Sequence, residues 1–217
     1  MTARAALRRA AADFYRQSWR LAVLNAALAT TMLAVVAAAI WVPAAAVLVV
    51  LVGPVAAGVM YCAVTLAETE ELRLGDALVG ARRCWRRGTA LAAMVGAAAV
   101  AGTLAVRAYA HAGTWGWPLA ALAIYLLAIF GVLQLWLWPL AVVERDRHLR
   151  DVFVDAIRAM GRRPLASLGL AAALTAVNVG GFVAALVPLL TLTVAFSFLA
   201  AAHLTLPEVQ RRAEWQA

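Results

Sequence analysis

Apolar stretches alternate along the chain with short polar links. They cover residues 21–40, 44–66, 89–110, 117–142, 165–186 and 188–204. A helix rising about 1.5 Å per residue needs roughly 20 apolar residues to cross a hydrocarbon core of about 30 Å. The pattern predicts an all-α polytopic membrane protein with six transmembrane helices arranged as three hairpins.

The polar links are of two kinds. Some are brief and nearly uncharged, such as the Trp41–Pro43 turn and the aromatic, glycine-containing link at 112–118. Others carry helical periodicity. In 3–20, Leu7, Ala11, Phe14 and Ser18 share a face and the arginines lie largely elsewhere, which predicts an interfacial helix. In 74–88, Leu78, Ala81 and Trp85 recur at helical spacing, with Arg82, Arg83, Arg86 and Arg87 on the remaining surface. Asp76 stands where the helix dipole favours a negative charge.

The third such segment, 149–163, aligns with 74–88 without gaps. Leu74, Asp76, Val79, Ala81, Arg83 and Arg87 match Leu149, Asp151, Val154, Ala156, Arg158 and Arg162. Both copies fall on the same side of the predicted topology, so the repeat is parallel. The expected organisation is a single integral membrane domain: basic interfacial helix 1–20, hairpin 21–66, amphipathic helix 74–88, hairpin 89–142, amphipathic helix 149–163, hairpin 165–204 and cytoplasmic tail 205–217.

Composition supports this reading. The chain is 65% hydrophobic and 14% charged, with mean hydropathy +0.86. The net charge of +8 comes with no lysine at all. Arginines cluster at 4–20, 73–87, 145–163 and 211–212, and the alternate links are nearly free of them. By the positive-inside rule this places both termini and both amphipathic loops in the cytoplasm. The all-arginine, alanine-heavy usage is that expected of a high-GC bacterium, which makes the membrane its inner one. The basic charge is then read as topology and contact with anionic lipids, not nucleic-acid binding. The one arginine inside an apolar run, Arg107, lies about 27 Å across, where it would snorkel to the outer interface. Trp19, Trp85, Trp136 and Trp138 form an expected inner belt; Trp41, Trp115 and Trp117 form an outer one.

Candidate chemistry is sparse. The two cysteines, Cys62 and Cys84, are expected on different parts of the architecture and unbridged. The three histidines are too scattered for a metal site, and no cofactor motif is present. Every acid falls in the predicted cytoplasmic segments, interleaved with arginines as in the pair Asp155 and Arg158, which reads as a solvated face. No catalytic constellation emerges, so no enzyme is expected. Within the spans, Gly53, Pro54 and Gly58 form a small-residue, kink-prone stretch suited to close helix packing. Gln134 and Asn178 are the candidates for a polar path.

The Gly53-Pro54-x-x-x-Gly58 stretch, the Asp76-to-Arg87 segment, and the block in which Leu137-Trp138-Pro139-Leu140 precedes 149–164 together resemble the YesL-like bacterial membrane proteins, a family of unknown function. The resemblance covers most of 12–205. It implies an accessory role beside carbohydrate uptake and supplies no catalytic or binding residues. Two functional readings follow. One is a non-enzymatic accessory or interaction subunit that binds another membrane protein such as a transporter. The alternative is a small-solute transporter in its own right, although no span carries a midplane charge.

Overall fold

The computed structural model describes residues 2–41, 48–183 and 193–216. Among them the chain is helical and contains no strand. The helices are α1 (Ala3–Arg16), α2 (Ser18–Trp41), α3 (Val49–Thr69), α4 (Leu74–Arg83), α5 (Trp85–Ala110), α6 (Gly116–Val143), α7 (Leu149–Arg162), α8 (Pro164–Val183) and α9 (Val194–Gln216).

Five of these, α2, α3, α5, α6 and α8, are long and apolar enough to cross a membrane. A sixth span over 188–204 is not established. Residues 188–192, like Pro43 of the predicted outer turn, lie outside the described residues. What is described of α9 starts at Val194 and continues as one helix through Pro207 into the charged stretch the sequence had assigned to a tail.

The core lies toward the arginine-rich end. α3 is its axis, packed against α1, α2, α4, α5, α6 and α9. Met60, Leu66, Trp136, Leu137, Leu140, Leu199 and Leu204 are fully buried there. The far halves of α5 and α6 are different. They pack on each other through Gly102, which receives the side chain of Leu127, and otherwise expose Val100, Leu104, Leu122, Ile124 and Leu126. An apolar surface of this kind suits lipid or another membrane helix.

The α3–α5 crossing shows why glycine is needed. A Cβ placed on Gly53 would collide with the Gly88 carbonyl, and a Cβ on Gly88 with that of Gly53. The two backbones are therefore in direct contact. Gly58 serves a different neighbour. A Cβ there would lie 2.5 Å from the Ala77 carbonyl, so Gly58 seats α4 and not a second span. Gly80 of α4 accepts the Tyr61 ring in return. α4 is thus packed against α3 and is not a loose surface helix.

The two segments paired in the sequence start alike and end apart. α4 and α7 begin at Leu74 and Leu149, each with aspartate at the third helical position. α4 then stops at Arg83, where the buried Cys84 makes the junction with α5, so 85–88 belong to α5. α7 continues to Arg162, and Pro164 opens α8, a position proline favours because its missing N–H would lack a partner anyway. The lengths of ten and fourteen residues differ by about one turn.

Two further expectations are corrected. The buried face of α1 is centred on Ala6 and Ala10, with Ala11 exposed, because alanines let α1 lie close against α9. Trp136 and Trp138 are core residues, not an interfacial belt. The Trp136 indole N–H donates to Ser167 Oγ at 2.9 Å, and Trp138 stacks on Phe198 at 6.1 Å between ring centroids.

Candidate functional site

Several polar side chains at the arginine-rich end join one segment to another. Arg87, in the first turn of α5, donates to the carbonyl oxygens of Ala141 and Glu144 at 3.1 and 2.8 Å, and to that of Arg147. These carbonyls close α6 and the turn after it, where intrahelical donors run out. Asp155, only 7% exposed, accepts from Arg147 at 2.7 Å and pairs with Arg158 at 3.5 Å. The Asp155–Arg158 pair is therefore anchored in the protein, not laid along a solvated face. Glu208 of α9, equally buried, meets Arg162 at 3.5 Å and Arg163 at 3.3 Å.

Residues matched in the sequence repeat thus have different partners. Asp76 accepts the Arg73 backbone N–H at 3.2 Å and caps α4. Asp151, in the first turn of α7, is exposed. Arg158 pairs with Asp155, whereas Arg83 borders a cavity between α3, α4 and the end of α6. Arg87 holds carbonyls; Arg162 holds a carboxylate.

Pro54 lies inside α3, one residue beyond the Gly53 contact with Gly88. The two polar-path candidates are not brought together. Asn178 donates to the Leu174 carbonyl at 2.7 Å and to Ser197 Oγ at 3.0 Å. It lines a 580 Å³ cleft between α6, α8 and α9, whose walls are otherwise apolar apart from Thr175 and Ser197. Gln134 does not line it. Two turns after Leu127, Gln134 shares the face of α6 that meets α5. Its amide atoms are buried and have no hydrogen-bond partner among the described residues.

Two links escaped sequence reasoning. His203 of α9 meets Asp13 of α1 at 2.7 Å, with His203 only 8% exposed. Asn25 of α2, fully buried, accepts the Ala195 backbone N–H at 2.9 Å. Each pairs residues about 170–190 positions apart, a separation no local pattern encodes. A hint did exist, since a lone histidine or asparagine in an apolar run calls for a partner.

Among the described residues, no group of three or more His, Cys, Asp or Glu side chains is placed to hold a metal ion. Both cysteines are free and buried. Burial pushes the Cys84 thiol above its ordinary pKa, against the opposing pull of Arg145, Arg87 and Arg83. A buried, protonated thiol is a poor nucleophile.

Comparison with protein families, curated proteins and solved structures finds no match to this chain.

Proposed function

We propose that this chain is a non-enzymatic membrane protein that binds another membrane protein through α5. The observation that carries this reading is the outward face of α5. Ala90, Ala93, Ala97 and Ala101 are exposed there at helical spacing, and the exposed Leu104 continues the same face. Small residues at every third or fourth position let a second helix approach to backbone distance, and they gain little from contact with lipid chains. Within this chain the same device is already satisfied at Gly53 and Gly88. The face of α5 carries it again without a partner among the described residues.

The charged residues support the same reading. Arg87, Asp155, Arg162, Arg163 and Glu208 spend their charges holding helices together. We place this arginine-rich end in the cytoplasm of a bacterial inner membrane, in contact with anionic lipids, on the positive-inside rule. The resemblance to YesL-like proteins points to a transport system, including carbohydrate uptake, as the setting of the partner.

The test is co-purification in mild detergent of the wild type and of the Ala97→Leu/Ala101→Leu variant. Both alanines are exposed, so leucine there leaves the fold intact. A transport subunit held in fixed ratio by the wild type and lost from the variant is expected. Equal retention by both would refute the α5 interface.

The cleft containing Asn178 and Ser197 favours a second reading, a small-solute carrier. Saturable solute uptake by liposomes containing this chain alone, abolished by Asn178→Leu, would establish that reading instead.

A further inference from the structure

Between α3, α4 and the end of α6 lies a 340 Å³ cavity lined by Tyr61, Thr65, Glu68, Arg83, Arg145 and Asp146, over a floor of Val64 and two valines of α6. That volume is within the range of small-molecule pockets, about 300–1,000 Å³. It differs from the cleft beside α8 in being mostly polar. It also gathers both signs of charge in one concavity, whereas Arg87, Arg147, Asp155, Arg162, Arg163 and Glu208 are engaged in contacts between segments. Here, among the described residues, the Arg83 and Arg145 guanidiniums and the Glu68 and Asp146 carboxylates have no ion pair or hydrogen bond. The Tyr61 and Thr65 hydroxyls donate no hydrogen bond there either.

We propose that this cavity binds a phosphate ester that also carries free hydroxyl groups. Arg83 and Arg145 both line the cavity, and a guanidinium recognises a phosphate group through paired N–H donors. Arg145, Arg87 and Arg83 all lie within electrostatic reach of the buried Cys84 thiol. Arg87 is committed to the α6 carbonyls, which leaves Arg83 and Arg145 for a ligand. Glu68 and Asp146 would repel a bare anion, and the arginines would repel a bare cation. A molecule with a phosphate at one end and hydroxyl donors at the other satisfies both sets, the carboxylates accepting from its hydroxyls. Tyr61 and Thr65 supply neutral partners between them.

Such a group has two sources: a soluble phosphorylated polyol or sugar, or the headgroup of an anionic glycerophospholipid, since Tyr61 and Thr65 lie on a helix apolar enough to span the membrane. The site has no lining residue from α5, so its failure would leave the α5 interface untouched.

The experiment is native mass spectrometry of the full-length protein in an uncharged detergent. The probes are glycerol 3-phosphate, inorganic phosphate, phosphatidylglycerol and phosphatidylcholine. One bound glycerol 3-phosphate or one retained phosphatidylglycerol is expected, in preference to phosphate or phosphatidylcholine. The first identifies a soluble ester as the source and the second a lipid headgroup. Arg83→Gln/Arg145→Gln should weaken binding by at least about tenfold. Arg4→Gln/Arg150→Gln, with the same loss of charge on exposed arginines elsewhere, should leave it unchanged. Arg83→Lys/Arg145→Lys keeps the charge and loses the paired donors, so it should weaken binding even where the glutamine variant does not fold. Glu68→Gln should erode the preference for glycerol 3-phosphate over phosphate. Binding of neither ester, or equal binding by wild type and the lysine variant with unchanged helical circular dichroism, would overturn the proposal.

Discussion

Arg87 reaches from the first turn of α5 to the backbone of Glu144 at 2.8 Å and so closes the end of α6. The link spans 57 residues and ties the start of one span to the end of the next. Hydrogen bonds from a charged donor are worth about 1.5–3 kcal/mol each, and removing this guanidinium leaves several carbonyls without a donor. Arg87→Gln should lower stability in detergent by about that amount. Arg162→Gln, at the matched position, should cost under about 1 kcal/mol, because its side chain is 64% exposed. Unfolding curves in detergent check the ordering; a larger loss at Arg162 would contradict it.

Gly53→Ala or Gly88→Ala should destabilise the bundle by about 1–3 kcal/mol, since the added methyl meets a backbone carbonyl that has no rotamer with which to yield. Gly131→Ala is the control: its Cβ would meet nothing within 4 Å. The expected result is a lower melting temperature for the first two and none for the third.

His203→Leu should release α1. The substitution strands Asp13, whose side chain is only 14% exposed, without its partner at 2.7 Å. A buried acceptor left unpaired costs about 1–3 kcal/mol. The Phe14–Phe196 ring contact remains between α1 and α9. Limited proteolysis should cut near Gln17 faster in the variant, with α3 to α6 still protected. An unchanged cleavage rate would show that the pair does not hold the helix.

The helices were readable from the sequence because their signals are local: long apolar runs, arginine clusters, aspartates at helix starts. Gly53 stood out for the same reason, since a small residue in a span has few uses besides close packing. What could not be read was orientation. The amphipathic pattern of 74–88 says which residues are apolar, but not that α4 folds back on Gly58 and Tyr61. Trp136 and Trp138 looked interfacial because tryptophan favours that zone, and Ser167 and Phe198, which draw them inward, are distant in sequence. Asp155 looked solvated for an equivalent reason: its partner Arg158 was visible, while its burial depends on how α7 lies against α6.

Cys84 should resist alkylation in the folded protein. It is 2% exposed, and burial raises its thiol pKa, so at pH 8 the reactive thiolate is scarcer than for an ordinary cysteine. The rate should rise as pH is brought up through the elevated pKa. In intact cells an impermeant maleimide should label Thr114→Cys, in the exposed link between α5 and α6, and leave Asp151→Cys, exposed in the first turn of α7, unlabelled. Labelling of Asp151→Cys and not of Thr114→Cys would invert the topology.

On the proposed reading, the alanine face of α5 holds another membrane protein. Photo-crosslinking in living cells from a diazirine amino acid at Ala97, with Leu168 on the exposed face of α8 as the comparison, decides this. One discrete protein adduct from Ala97 and only lipid adducts from Leu168 are expected. Lipid adducts alone from both positions, with the chain intact and inserted, would contradict it.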